Sequence, residues 1–142
     1  MKTVNYLIKE GFSQMDFVIV TQMLTKAYWS VGINQATVEK AAVNSTFVFG
    51  VFDENNLQIA YARVLSDKVR FCYLMDIIVD DVFQRRGIGQ SLVNHMLNHP
   101  ELAGVARFVL RTADAHGVYA KSGFRPLENQ EEWMVLQNQS NS

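Results

Sequence analysis

Cysteine occurs once in these 142 residues, at Cys72, and proline only twice. A single thiol excludes an internal disulfide framework and any cysteine-rich metal site. No apolar run approaches the roughly 20 residues that cross a bilayer as a helix. The opening Met1-Lys2-Thr3-Val4-Asn5 also lacks the apolar core of a secretory signal. A cytoplasmic location with no membrane partner is therefore the expectation. An excess of either charge is missing as well, since 13 Lys and Arg stand against 14 Asp and Glu, a net charge of −1. That balance points away from nucleic acid as a partner. Repeats and internal linkers are absent. What remains, 49% hydrophobic and 19% charged residues, suits one globular domain long enough to build a substantial core. We expect a single domain over 1–136, followed by a polar tail, 137–142, that frays.

Hydrophobic periodicity divides the domain into alternating elements. Val4 to Ile8 reads as a strand. Ser13 to Ala27 reads as a helix, with Phe17, Val20, Leu24 and Ala27 on one face and Ser13 as its N-cap. A shorter helix spans Asn34 to Val43, after a break at Gly32. Phe47–Phe52, the polar turn Asp53-Glu54-Asn55-Asn56 and Leu57–Leu65 read as strand, turn and strand. Val69 to Val79 is a long central strand. A helix with Ile88, Leu92, Met96 and Leu97 on its buried face follows and must end before Pro100. Val105–Arg111 is another strand, then comes a helix over about 114–122, and Trp133–Leu136 is a last strand. Helices interleaved with strands that include an antiparallel pair imply a mixed α/β (α+β) sheet covered on both faces.

The most informative stretch lies where the central strand ends. Ile77-Ile78-Val79 stops at Asp80-Asp81, and the basic, glycine-punctuated turn Gln84-Arg85-Arg86-Gly87-Ile88-Gly89 opens the next helix. Such a turn aims free N–H groups and the positive end of a helix dipole at one point, which suits a phosphate or pyrophosphate. Glycine permits close approach, and Arg85 and Arg86 supply charge. A dinucleotide fingerprint needs a third glycine where Leu92 stands. A P-loop needs Lys-Ser/Thr where Gln90-Ser91 stands. Neither spacing fits.

What the turn does resemble is the Q/R-x-x-G-x-G/A acetyl-CoA loop of the GNAT N-acetyltransferase superfamily, as Gln84-x-x-Gly87-x-Gly89. A second block agrees: the strand Phe108-Val109-Leu110-Arg111, then Thr112 to Phe124, in which Tyr119 precedes Gly123-Phe124. The detailed likeness covers roughly residues 73–127. It implies a central, mostly antiparallel sheet with a splayed parallel strand pair, acetyl-CoA as cosubstrate and direct transfer to an acceptor amine, with no metal. Cofactor contacts then fall on Ile77, Ile78 and Val79 for the pantetheine arm, and on Gln84, Arg85, Arg86, Gly87, Ile88, Gly89 and Gln90 for the pyrophosphate. Thr112 stands where many relatives have Asn.

Tyr119 matches the family's tyrosine, whose phenol can give a proton to the departing thiolate. The base is open. Asp76 can accept a proton, or it can be structural, bonding backbone at a bulge or pairing with Arg63. Polyamine acetyltransferases share a similar Tyr-Leu-x-Asp stretch but use a glutamate where this chain has Met75, so their base and specificity do not carry over. Tyr28, Trp29, Arg63, Tyr73 and His116 are candidates for the acceptor pocket. Asp114 is expected to cap its helix. His95 and His99, four residues apart, lack a third ligand and are expected at the surface. A small-molecule or amino-acid-like amine is the expected acceptor; a protein or peptide amine, or a non-catalytic acyl-CoA-binding domain, are the alternatives. Family members often dimerise, and the 131–136 strand is a candidate for a homodimer interface.

Overall fold

The computed structural model describes residues 5–138, so the tail beyond 138 and Val4 lie outside the described residues. One five-stranded sheet runs in the order β1 (Tyr6–Glu10), β2 (Phe47–Asp53), β3 (Gln58–Ser66), β4 (Cys72–Val79), β5 (Phe108–Val109). The first four strands are antiparallel neighbours, whereas β4 and β5 run parallel. Helices α1 (Phe17–Leu24) and α2 (Gln35–Val43) lie between β1 and β2 in sequence; α3 (Ile88–Leu97) joins β4 to β5, and α4 (His116–Ala120) follows β5. No helix among the described residues is long and apolar enough to cross a membrane.

The alternation of β2, β3 and β4 sends side chains to two cores. On one face Phe49, Val51, Ala62, Val64, Cys72 and Leu74 pack with Ile88, Leu92, Val93 and Met96 of α3. On the other face Val48, Phe52 and Tyr61 pack with Phe17, Val20 and Leu24 of α1 and Val38 and Ala42 of α2. The sheet is thus covered on both sides. Its two hairpins are set by aspartates: Asp53 Oδ1 accepts the N–H groups of Asn55 and Leu57, and Asp67 Oδ1 those of Val69, Arg70 and Phe71. The Asp67 turn uses up Val69 and Arg70, which is why β4 begins at Cys72 rather than at Val69.

Several boundaries differ from the sequence expectation. Asp16, not Ser13, caps α1, accepting the Ile19 N–H at 3.3 Å, while the buried Gln58 Oε1 accepts the Asp16 N–H at 2.8 Å. Ser13 lies in a short 3-10 turn, Phe12–Gln14. β5 and α4 are shorter than their patterns. The Trp133–Leu136 strand is absent: these residues are unpaired, Met134, Val135 and Leu136 being 97%, 84% and 89% exposed. Apolar, β-prone residues form a strand only where an edge accepts them, and here only the Trp133 ring lies near the sheet, 6.5 Å from Phe71. His95 is exposed, as expected, whereas His99 is half-buried. His95 meets Phe49 edge-on, and His99 stacks on Phe47 at 4.4 Å and contacts Glu10 Oε1 at 2.9 Å.

Candidate active site

β4 and β5 pair at only two positions, Cys72 with Phe108 and Tyr73 with Val109. Beyond them β5 stops while β4 continues to Val79, so the edge of β4 from Leu74 onward has no neighbouring strand. Ile77 and Val79 turn toward the α3 core and Ile78 toward the α1–α2 core, leaving backbone groups as the polar lining of this gap.

The gap ends at the glycine turn. After β4, Asp80 Oδ1 accepts the Val82 N–H and begins a 3-10 turn, Asp81–Phe83. Gln84 Nε2 donates to the Val79 carbonyl at 3.2 Å and to Asp81 Oδ1 at 3.3 Å, so this side chain braces the loop. Arg85 has φ 65 and Gly87 φ 77, two left-handed residues that curl the backbone into α3. Gly87 caps α3 without a side-chain hydrogen bond, and Ser91 is the first to donate back, to the Gly87 carbonyl at 2.9 Å. The N–H groups of Ile88, Gly89 and Gln90 thus have no intrahelical or side-chain acceptor. Ile88 contributes backbone alone, since its side chain is buried in the core. Arg85 and Arg86 are exposed beside this opening, Arg86 lying over the Phe83 ring.

Across the gap, Thr112 Oγ1 accepts the Ala115 N–H at 3.0 Å in the turn before α4, whose N-cap, Ala115, has no side-chain hydrogen bond, so Asp114 does not take the capping role expected of it. His116 Nε2 donates to the Thr112 carbonyl, tying His116 to its own turn. Tyr119 is half-buried, with its ring 6.3 Å from Phe124 and against the α3-side core. Burial pushes its phenol above the ordinary 10.0, and the nearby Tyr28 and Asp114 push it the same way.

On the α1–α2 face, β4 bulges opposite β3 between Tyr61 and Arg63, and Asp76 takes φ 54 there. Asp76 Oδ2 accepts from Arg63 Nε at 2.6 Å, and Oδ1 from Trp29 Nε1 at 2.9 Å. Each carboxylate oxygen therefore already holds a donor. The Tyr28 ring meets Trp29 edge-on at 5.0 Å, and its hydroxyl accepts the Ala113 N–H at 2.8 Å. Two adjacent aromatics thus bridge from β4 to the turn before α4. The loop carrying them is fixed by the buried Ser30, whose hydroxyl donates to the Leu24 carbonyl at 2.6 Å. Tyr73 is half-buried at the last β4–β5 rung, on the face opposite Cys72 and Leu74. Sequence reasoning missed the Trp29–Asp76 and Tyr28–Ala113 bonds, which span 47 and 85 residues. It also missed the buried Tyr61 beside this group, because a tyrosine inside an apolar strand carries no local signal. Among the described residues no group of three or more His, Cys, Asp or Glu is placed to hold a metal.

Sequence and structure comparisons identify the class of protein to which this open parallel pair and uncapped helix N-terminus belong. Residues 16–135 match the acetyltransferase (GNAT) domain model. A protein from Xanthomonas campestris pv. campestris assigned to the GNAT family is 31% identical, with a TM-score of 0.87 and 96% of each chain covered. A GNAT-family acetyltransferase from Streptococcus pneumoniae is 23% identical, with a TM-score of 0.73, covering 94% of this chain and 98% of that one. Glucosamine-6-phosphate N-acetyltransferase from Arabidopsis thaliana shares the fold at 13% identity, with a TM-score of 0.72 and coverages of 95% and 99%. No curated protein matches the chain by sequence. The chain belongs to the GNAT acetyltransferase family.

Proposed function

We propose that the protein is an acetyl-CoA-dependent N-acetyltransferase acting on a small, amino-acid-like amine, with Tyr119 as the general acid. The observation that supports this reading most is the continuity of the unpaired β4 edge with the uncapped N-terminus of α3. One run of backbone offers strand-like partners and then three free N–H groups, which fits a pantetheine arm followed by a pyrophosphate. Ile77, Ile78 and Val79 would hold the arm through backbone, and the N–H groups of residues 88–90 with Arg85 and Arg86 would hold the pyrophosphate. Gln84 would act by shaping the loop, and Thr112 by fixing the opposite wall. When bound, acetyl-CoA supplies an activated thioester.

The chain's own groups then do three things, and water does a fourth. The cleft orients the acceptor nitrogen against the thioester carbon, backbone N–H groups polarise the carbonyl, and water on the acceptor side takes the amine's proton. As the N–C bond forms and the C–S bond breaks, Tyr119 gives its phenolic proton to the departing sulfur and is reprotonated from solvent. A phenol is protonated at neutral pH, as an acid must be, and burial pushes this one further in that direction. Asp76, with both oxygens already accepting, organises Trp29 and Arg63 and is assigned to positioning instead of proton transfer.

The test begins with thermal unfolding with and without acetyl-CoA. At about 100 times Kd the ligand is expected to add roughly 2.7 kcal/mol, several degrees for a domain of this size. Release of CoA thiol is then followed with a panel of amines. Tyr119→Phe is expected to lower kcat by about 10²-fold or more while leaving the acetyl-CoA shift intact. Unchanged turnover in that variant would remove Tyr119 from the mechanism.

A further inference from the structure

Arg63 projects from the middle of β3 onto the α1–α2 face with its side chain 14% exposed, and only its Nε is bonded, to Asp76. Among the described residues its two terminal nitrogens have no acceptor, yet neither is sealed from solvent. Asp76 is already held from its other side by the Trp29 indole. Two residues earlier on the same strand and face, the Tyr61 hydroxyl is fully buried and finds no hydrogen-bond partner, within the electrostatic reach of both Arg63 and Asp76. A guanidinium presents a rigid fork of five N–H donors. The unbonded part of that fork lies on a half-closed face, where a group with oxygen acceptors on an incoming molecule can replace water.

We propose that this group is a carboxylate on the acceptor: Arg63 grips it through its terminal nitrogens, so the amine acetylated belongs to a compact amino carboxylate whose apolar part lies against Trp29 and Tyr28. The inference rests on the acetyltransferase reading and names its substrate class. A planar monoanion matches the guanidinium fork. A phosphate dianion would bring a second negative charge close to Asp76 with no further cation bonded there. Asp76 and Trp29 are positioning residues, fixing the fork before the acceptor arrives.

Trp29 itself serves as the reporter. The chain has two tryptophans, so in a Trp133→Phe background the indole emission belongs to Trp29 alone. With CoA present, glycine, β-alanine and longer amino carboxylates are expected to change that emission saturably. Their carboxamides should require about 10- to 100-fold higher concentration, the range expected for losing hydrogen bonds to a charged group. CoA-thiol release should show the same discrimination in kcat/KM, carried by KM. Arg63→Gln should abolish the discrimination, and Arg63→Lys, which keeps the charge without the fork, should restore it only in part. The acetyl-CoA thermal shift, which does not involve Arg63, is the separate control: its absence in the wild type overturns the acetyltransferase reading. A normal shift overturns the carboxylate assignment alone if emission ignores amino carboxylates or if carboxamides or aminoalkyl phosphates do equally well. Discrimination that survives Arg63→Gln also overturns it.

Discussion

At Gly50 the packing leaves no room for one more carbon. A Cβ there would fall 2.6 Å from Gln58 Nε2, 2.9 Å from Phe52 Cε1 and 3.0 Å from Met15 Sδ. Gln58 cannot swing aside freely, because its carbonyl caps the chain at Asp16 and its amide donates to the Ala60 carbonyl at 3.1 Å. Gly50→Ala is therefore expected to lower stability by about 1–3 kcal/mol, read as a lower denaturant midpoint at unchanged m-value. Nothing in the run Phe47-Val48-Phe49-Gly50-Val51 announces this, since two of the three neighbours that crowd it come from residues 15 and 58. The same holds for backbone strain. Among the described residues four non-glycine residues have positive φ; Asn56 and Lys68 lie in hairpin turns where a left-handed residue is ordinary, but Asp76 and Arg85 lie in the candidate site. Sequence singled out both for their charge, while their unusual backbone is visible only in three dimensions.

Helix α3 was the most legible element, because its apolar spacing and its glycine opening agree with each other. Gly87 tests that opening. A Cβ there meets nothing within 4 Å, so the cost of Gly87→Ala is conformational, arising from φ +77. The variant is expected to lose about 1 kcal/mol of stability or somewhat more, and to show a smaller acetyl-CoA thermal shift as the turn relaxes. Gly89 lacks the positive φ, and its Cβ would make ordinary contact with Val79 at 3.6 Å, so Gly89→Ala should leave the ligand-free melting temperature near the parent's. The elements read less well from sequence are those that depend on a partner. Ser13 and Asp16 are both good capping residues, and a glutamine on β3 decides between them. Val105–Arg111 and Trp133–Leu136 have strand-forming residues, but pattern records capacity, whereas ladder contacts decide whether it is used.

For the molecule as a whole, the buried acids set the response to alkali. Burial raises the Cys72 thiol from 9.0 to about 11, and it also raises the phenols of Tyr61 and Tyr119 above their ordinary 10.0. Each folded-state value exceeds the unfolded one, so the folded chain holds more protons and stability falls as pH rises. The Cys72 contribution is complete below about pH 9 and lost as pH passes 11. Melting temperature should therefore decline steadily above pH 9 on this account. At pH 8 the native thiol should resist iodoacetamide, with one equivalent reacting after unfolding. Rapid native alkylation would mean that the core around Cys72 opens readily.

The two-rung contact between β4 and β5 has a further consequence. Residues 111–138, including α4 and its tyrosine, follow a very short ladder and are held further by the packing of Tyr119 and Phe124 and by the bonds of Ala113 to Tyr28 and Ser122 to Asn94. This fifth of the polypeptide can therefore detach at less cost than the rest can unfold. A molecule seated in the gap bonds to both banks and acts as the missing rungs. On the proposed function, occupancy and cooperativity would then become one property, with the loaded protein unfolding more nearly as a single body than the free one. On the same reading, activity is expected to fade on warming before the fold melts, and bound substrate is expected to postpone that loss.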